Sequence, residues 1–127
     1  MRITKLALLL VILLVIPATV NAKKIDRGKV SIQTVYDTIT QGEEDWYCKY
    51  ITSSTFTVSL VWNNPSNRLT LTVYSPDGSW TTFTDSSDGS IDGRIVITIY
   101  DATHGWWFFE VYGAKVKGKQ SYSFMVT

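Results

Sequence analysis

Short runs of alternating apolar and polar residues dominate the chain beyond residue 30. Residues 55–62 show the pattern most clearly, because Phe56, Val58, Leu60 and Trp62 share one phase. In a strand, such period-two alternation directs one face to a hydrophobic core and the other to solvent. The segments with this character are residues 30–39, 45–51, 55–62, 68–74, 79–84, 94–100, 106–112 and 120–126.

Turn-forming residues separate these segments, and helix signals are scarce after residue 22. Residues 63–67 (Asn-Asn-Pro-Ser-Asn) and 75–78 (Ser-Pro-Asp-Gly) are typical of loops and tight turns, since proline fixes φ and glycine adopts positive φ. Residue types that favour strands, such as Thr, Val, Ile, Tyr and Trp, are abundant. About eight short strands at this spacing predict one all-β domain over residues 30–127, a sandwich or a barrel.

The N-terminal segment differs from the rest in composition. Arg2 and Lys5 precede an apolar run over residues 6–16, Pro17 follows the run, and Ala22 ends a stretch of small or apolar residues. This order predicts a secretory signal that is cleaved after Ala22. An uncleaved membrane anchor is the alternative, because the run is not far below the about 20 apolar residues of a membrane span.

Residues 23–29 are charged and lack periodicity, which predicts a flexible arm between the signal and the domain. Whether residues 1–22 are cleaved or retained, we expect the domain outside the cytoplasm, secreted or at the cell surface. Contact with a membrane is expected only through residues 1–22, if they stay attached.

The charge balance argues against nucleic acid as a partner. The chain has 12 Lys and Arg residues against 11 Asp and Glu residues, and Arg2 and Lys5 belong to the predicted signal. Nucleic-acid binding requires a basic surface, which a nearly neutral domain lacks. Three lysines, Lys115, Lys117 and Lys119, cluster between two predicted strands, and we interpret them as a solvated hairpin tip.

Residues suited to catalysis are few. The chain has one His and one Cys, too few for a zinc site or an internal disulfide. His104 lies in a predicted turn without an accompanying nucleophile motif, so the chain is predicted not to be an enzyme. Cys48 shares a phase with Trp46 and Tyr50 and is interpreted as a small core residue. An intermolecular disulfide is the alternative for Cys48.

Four segments within residues 30–126 carry characteristic motifs. They are Ile-Thr-Gln-Gly-Glu-Glu-Asp-Trp-Tyr (39–47), Leu-Thr-Leu-Thr-Val-Tyr-Ser-Pro-Asp-Gly-Ser (69–79), Gly-Trp-Trp-Phe-Phe-Glu-Val-Tyr-Gly (105–113) and Ser-Tyr-Ser-Phe-Met-Val (121–126). In this order they resemble the opening motif, central hairpin, late aromatic strand and closing strand of the pre-peptidase C-terminal (PPC) domains of secreted prokaryotic proteins.

The resemblance implies a jelly-roll-like antiparallel β-sandwich of about eight strands without catalytic residues. PPC modules accompany secreted peptidases, where they serve secretion, stability or substrate attachment. Some members bind calcium or a fibrous protein substrate. The resemblance therefore implies an accessory or binding role outside the cell.

Two acidic groups are candidate calcium ligands, because calcium takes six to eight oxygens, mostly carboxylates and carbonyls from loops. The groups are Glu43, Glu44 and Asp45, and Asp85, Asp88 and Asp92. The resemblance favours the first group, since acidic ligands of calcium-binding PPC domains gather near the N-terminal end. The second group has the alternative interpretation of a solvated Asp/Ser/Gly loop. No other cofactor is predicted.

Aromatic residues outside the predicted core phases are candidates for ligand binding. The chain has 5 Trp, 7 Tyr and 5 Phe, and most fall on inward phases. The exceptions form a predicted aromatic face, namely Trp106, Phe108, Tyr112, Tyr47 and Trp80. Rigid aromatic rings provide contact area at little entropy cost, which suits a polysaccharide or a fibrous protein. Coverage of these rings by a loop or by the N-terminal arm is the alternative.

Two functions therefore stay open at the level of sequence. The first is a secreted, non-catalytic binding or adhesion module of the cell envelope, with or without calcium, whose ligand is an extracellular polysaccharide or protein. The second is a structural or secretion-assisting accessory module of a secreted peptidase or surface protein, with no small ligand.

Overall fold

A computed structural model describes residues 34–127 of the chain. The predicted signal, the arm and the first residues of the predicted opening strand lie outside the described residues. Within them are eight strands and a short 3₁₀ helix at Asp85–Asp88. The strands are β1 (Val35–Thr40), β2 (Glu44–Ile51), β3 (Phe56–Trp62), β4 (Arg68–Tyr74), β5 (Trp80–Phe83), β6 (Arg94–Ile99), β7 (Gly105–Lys115) and β8 (Lys119–Val126). This part of the chain contains no helix with the length and apolar character of a membrane span.

The strands form two antiparallel sheets of four strands each. The first sheet has the order β1-β8-β3-β6, and the second has the order β2-β7-β4-β5. Only the β4–β5 connection is a hairpin within one sheet, and every other connection between the described strands crosses to the opposite sheet. These two interleaved four-stranded orders define a jelly roll. The predicted all-β, jelly-roll-like antiparallel sandwich is confirmed.

The core lies between the two sheets and is built from alternate residues of the strands. In β3 the alternate residues from Phe56 to Trp62 are buried, as their phase predicts. Aromatic rings from opposite sheets meet in the core, where Tyr47 stacks on Phe124 with ring centroids 4.8 Å apart. Because burial of one large apolar side chain contributes roughly 1.5–3 kcal/mol, this layer of rings supplies much of the driving force for folding.

Strand β2 faces the core with the phase opposite to the predicted one. Asp45, Tyr47 and Ile51 are buried, whereas Cys48 is half-buried on the outer face. Two expectations are therefore wrong. Cys48 is not a core residue, and Tyr47, expected on the exposed aromatic face, is only 2% exposed. The physical reason is that Asp45 and Tyr47 form buried hydrogen bonds with Tyr122, which hold their phase of β2 inward although the phase of Trp46 is the more apolar one.

The turn between β1 and β2 crosses from one sheet to the other in close contact with β7. The Gly113 amide donates to the Glu43 carbonyl at 3.0 Å, and the Val116 amide donates to the Gln41 side chain at 2.8 Å. A Cβ placed on Gly113 would lie 2.3 Å from the Thr40 carbonyl oxygen. The crossing therefore leaves no space for a side chain at this position of β7.

The turn between β7 and β8, which passes from one sheet to the other, is supported by buried amide groups. The Asn67 side chain donates to Gln120 Oε1 at 2.8 Å and accepts from the Lys117 amide at 3.0 Å. Both Asn67 and Gln120 are buried, so these bonds satisfy groups that would otherwise be costly to desolvate. Lys115, Lys117 and Lys119 are exposed, as predicted. The predicted hairpin is wrong, because the turn that carries them joins strands of different sheets.

Replacement of Gly113 tests the tight crossing. We expect Gly113→Ala to lower the free energy of unfolding by about 3 kcal/mol, because the new Cβ collides with backbone atoms that cannot move away cheaply. Gly78→Ala is the control, since Gly78 has φ +91° but open space around a Cβ, and should cost only about 1 kcal/mol. Urea unfolding measures both values. An equal loss in the two variants would contradict the steric explanation.

Candidate functional site

The outward phase of the second sheet carries one continuous aromatic surface. All four strands contribute, and the members share a position on the side of the sheet away from the core. We call this surface the aromatic face; it consists of Trp46, Tyr50, Tyr74, Trp80, Trp106, Phe108 and Tyr112.

Strand register arranges the outward residues of the second sheet in rows that run across the strands. One row pairs Tyr50 with Trp106. The next row contains Cys48, Phe108, Tyr74 and Trp80. The third row contains Trp46, Glu110, Thr72 and Thr82, and the fourth contains Glu44, Tyr112 and Thr70. Side chains that are directly opposite in such rows lie close enough to touch.

The rings of the aromatic face contact one another. Trp46 and Tyr74 have centroids 5.5 Å apart, and Tyr74 and Trp80 have centroids 6.4 Å apart. Since β7 lies between β2 and β4, the Trp46–Tyr74 pair reaches across β7, and the three rings form a line from one edge of the sheet to the other. Tyr50 and Trp106 form a separate edge-to-face pair at 5.4 Å.

Solvent reaches a large part of this surface. Trp80 is 63% exposed, Tyr50 is 49% exposed and Phe108 is 40% exposed. The other four rings are half-buried. An apolar patch formed by neighbouring rings on one face of a protein marks a surface for a ligand or a partner.

Two carboxylates lie within the aromatic face. The Trp46 indole N–H donates to Glu44 Oε1 at 3.4 Å, and Glu110 lies between Trp46 and Thr72 in its row. Burial and, to a smaller extent, the negative charges of Glu110 and Glu44, which disfavour a phenolate, together raise the pKa of Tyr74 to about 12. Both carboxylates therefore act electrostatically on the same part of the face.

The structure brings together four of the five aromatic residues proposed from sequence, namely Trp106, Phe108, Tyr112 and Trp80. The fifth, Tyr47, lies in the core. Sequence reasoning missed Trp46, Tyr50 and Tyr74 as members of the face. No local signal in the sequence identifies the first two, because the phase of β2 depends on the hydrogen bond between Asp45 and the distant Tyr122.

Of the acidic residues near the N-terminal end, Asp45 and Glu43 lie close to each other, whereas Glu44 points to the opposite side of β2. Asp45 is buried and points into the core, where it accepts a 2.6 Å hydrogen bond from the Tyr122 hydroxyl. Glu43 caps the turn by accepting from the Thr40 amide at 3.0 Å. Glu44 lies on the outer side of the same strand, in the aromatic face.

The Asp45 carboxyl belongs to a buried network that joins the two sheets. Tyr47 and Tyr122 hydroxyl oxygens are 2.6 Å apart, so the two phenols and the carboxyl form one chain. Burial and, to a smaller extent, a hydrogen bond with Glu43 together raise the pKa of Asp45 to about 7. Burial also raises the pKa values of Tyr47 and Tyr122 above their usual range.

In the second acidic group, Asp85 stabilises the loop between β5 and β6. Asp85 is 2% exposed, and its carboxylate accepts from the backbone amides of Asp92, Gly93 and Arg94 at 3.2, 2.9 and 3.4 Å. Asp92 is exposed, and Asp88 lies at the end of the 3₁₀ helix. The Asp85 carboxylate thus holds the loop closed onto the start of β6.

Among residues 34–127 no three His, Cys, Asp or Glu side chains are grouped as a metal would require. Calcium binding stays a prediction from sequence, with the six named acidic residues distributed over the core, the aromatic face and two turns. His104 is exposed immediately before β7, and Cys48 lies beside Phe108 on the aromatic face.

Comparison with known proteins identifies an archaeal relative of part of the chain. No protein-family model matches the chain. A 51-residue stretch is 69% identical to an uncharacterized protein of Archaeoglobus fulgidus, and the match spans 40% of this chain and 74% of that relative.

Exchange of Asp85 tests its role as the anchor of the loop. We expect Asp85→Asn to lower the free energy of unfolding by about 2–3 kcal/mol, because an amide presents an N–H group where the carboxylate accepted backbone amides. Asp92→Asn, an equal change of charge at an exposed position in the same loop, should shift it by less than about 0.5 kcal/mol. Urea unfolding compares the two variants. Similar small effects would show that the Asp85 contacts are dispensable.

The raised pKa of Asp45 predicts a specific dependence of stability on pH. Because the folded-state pKa of about 7 exceeds the unfolded value of 3.8, the contribution of Asp45 to stability is complete below pH 4 and is lost as the pH rises to 7. The free energy of unfolding of the wild type, minus that of Asp45→Asn, should fall over this range with a slope approaching about 1.4 kcal/mol per pH unit. Urea unfolding from pH 3.5 to 8.5 measures the difference.

Asp92→Asn serves as the control for the pH experiment, since its curve should parallel that of the wild type. Subtraction of the Asp45→Asn curve removes the contributions of all other carboxyl groups. A constant difference between wild type and Asp45→Asn across the pH range would mean that Asp45 titrates as an ordinary carboxyl group.

Proposed function

We propose a function for this protein, which belongs to the same family as the uncharacterized protein of Archaeoglobus fulgidus. The proposed function is that of a non-catalytic binding module, active outside the cytoplasm, which holds a polysaccharide on the aromatic face of its second sheet. The predicted secretory signal and the resemblance to PPC domains support the location, and the aromatic face supports the binding activity.

The observation that carries the proposal is the line of contacting rings formed by Trp46, Tyr74 and Trp80. A sandwich of this size already buries a full set of rings between its sheets, so the outer rings are not required to form the core. Exposed rings of this kind lower the solubility of a protein, and a ligand that covers them removes the apolar surface from water. Their retention on one face is explained by binding.

The polar groups of the same rows suit a sugar polymer. The C–H faces of sugar rings stack on aromatic rings, and sugar hydroxyls donate hydrogen bonds to carboxylates such as Glu44 and Glu110. Exposed Thr82 and half-buried Thr70 add hydroxyl groups beside the rings. Because the rings extend across all four strands, a polymer can lie along the sheet rather than enter a closed pocket.

A protein partner is the second candidate, and the composition of the face favours it too. Tryptophan and tyrosine are the residue types that contribute most to protein interfaces, and the face holds both. In this case the chain is an accessory module that packs against a secreted peptidase or a surface protein, as the PPC resemblance implies. The two candidates use the same face and differ in which ligand covers it.

Removal of the exposed rings tests the proposed function. We expect Trp80→Ala and Trp106→Ala each to weaken polysaccharide binding about tenfold, because each removes one stacking ring. Native gels with soluble hydroxyethyl cellulose, xylan and galactomannan, and co-sedimentation with insoluble cellulose and chitin, measure binding. Circular dichroism checks that the variants stay folded.

Tyr36→Ala and Tyr100→Ala are matched controls for this experiment. Tyr36 is 79% exposed and Tyr100 is 72% exposed, but both lie outside the aromatic face. Their loss should leave binding unchanged. Binding of collagen or another fibrous protein, but of no polysaccharide, would favour the second candidate. Equal binding by wild type, Trp80→Ala and Trp106→Ala would refute the aromatic face as the site.

A further inference from the structure

The line of rings formed by Trp46, Tyr74 and Trp80 is not flat. The ring planes of Trp46 and Tyr74 are inclined to each other by 34°, and those of Tyr74 and Trp80 by 39°. Because Tyr74 is the middle ring, it is inclined to both of its neighbours. A rigid, flat object laid along the line therefore cannot contact all three rings face to face.

The sheet beneath the rings accounts for this shape. Trp46, Tyr74 and Trp80 lie on β2, β4 and β5, and β7 separates the first two of these strands. Adjacent strands of a sheet are rotated relative to one another by about 20–25° on average, so a surface that spans four strands is twisted. Rings carried by such a surface are expected to be inclined to one another, as these are.

Contacts within the line hold the rings in these orientations. Tyr74 lies between its two neighbours, with its ring centroid 5.5 Å from that of Trp46 and 6.4 Å from that of Trp80. Trp46 and Tyr74 are half-buried, and the Trp46 indole N–H donates to Glu44 Oε1 at 3.4 Å. The shape of the line is thus largely set before a ligand binds, and the ligand has to follow it.

Polysaccharides differ in how well they can follow a twisted line of rings. In a crystalline polymer the chains pack side by side into a flat, rigid surface, and aromatic rings that stack on this surface must be coplanar. In a single hydrated chain, rotation about the glycosidic bonds lets each sugar ring tilt relative to the next. Each sugar can then stack face to face on an aromatic ring of its own.

We infer that the aromatic face binds a single polysaccharide chain that is free to twist, laid across the strands along Trp46, Tyr74 and Trp80, and not the flat surface of a crystalline polymer. This inference rests on the proposed function and specifies the class of its ligand. With one sugar on each ring, a chain of three or more units occupies the whole line, whereas a disaccharide reaches two rings.

Ligands that share their covalent chemistry separate a free chain from a crystal. The pairs are cellohexaose with crystalline cellulose, and the N-acetylglucosamine hexamer with crystalline chitin; soluble xylan and galactomannan extend the panel. Isothermal titration calorimetry with the full chain measures binding of the soluble ligands, and co-sedimentation measures adsorption to the crystals. We expect binding of at least one soluble ligand and at least about tenfold weaker adsorption to the crystalline polymers.

Chain length tests the use of all three rings. For the sugar that binds, the hexamer should bind about tenfold more tightly than the dimer, because it stacks on one ring more. Trp80→Ala should weaken hexamer binding about tenfold and dimer binding about twofold at most, since Trp46 and Tyr74 still hold a dimer. Trp80 is 63% exposed, so its removal should leave the fold intact, which thermal unfolding checks. Tyr36→Ala, at a 79% exposed position of the first sheet, is the control and should change neither affinity.

The outcomes distinguish this inference from the proposed function. Adsorption to crystalline cellulose or chitin that equals or exceeds binding of the matching hexamer overturns the free-chain ligand and leaves polysaccharide binding intact. Equal affinity for dimer and hexamer overturns the placement along three rings and also leaves polysaccharide binding intact. Binding of no polysaccharide in either form refutes the proposed function itself.

A second copy of this chain is another occupant that the same variants detect. It would produce self-association in sedimentation velocity that Trp80→Ala abolishes and Tyr36→Ala does not. This result would overturn the polysaccharide chain as the ligand of the three rings.

Discussion

The hydrogen bond from the Tyr122 hydroxyl to the Asp45 carboxyl determines which side of β2 faces the core. Strand residues alternate between faces, so a shift of one residue would bring Trp46 and Tyr50 inward and send Asp45 and Tyr47 to the surface. By hydrophobicity alone the shifted arrangement is the better one. The observed arrangement is retained because Asp45 and Tyr47 join Tyr122 in a buried chain of hydrogen bonds that links the sheets, and an isolated buried carboxyl would be costly.

The same bond thereby assembles the aromatic face. With Asp45 inward, Trp46 must point outward, and only then can its ring reach Tyr74 across β7. The second sheet is consequently apolar on both sides, with one layer of rings in the core and another at the surface. The buried hydrogen bonds of Asp45, Tyr47 and Tyr122 thus stabilise the aromatic face without being part of it, because they fix which residues of β2 point outward.

Most of the fold was predictable from sequence, whereas the candidate site was predictable only in part. Alternation in β3, β4 and β7 identified the inward residues correctly, because in each strand one phase is clearly more apolar. In β2 both phases are rich in large side chains, and the deciding contact comes from Tyr122, 77 positions away in the chain. The sequence does not place Tyr74 on the aromatic face either, because this position depends on the residues of β7 and β5 that pair with it. The sequence shows that Asp85 is an acidic loop residue. It does not show that three backbone amides donate to the Asp85 carboxylate, because those amides come close to it only when the loop closes.

The placement of the five tryptophans gives the molecule two sets of intrinsic chromophores. Trp62 and Trp107 are buried, and their indole N–H groups are fixed by the backbone carbonyls of Asn67 and Thr103. Trp46, Trp80 and Trp106 belong to the outer surface. Emission from the outer indoles reports on whatever covers that surface, and emission from the inner pair reports on packing between the sheets. Occupancy and folding can therefore be followed separately in the unlabelled protein, by removing one set of indoles at a time.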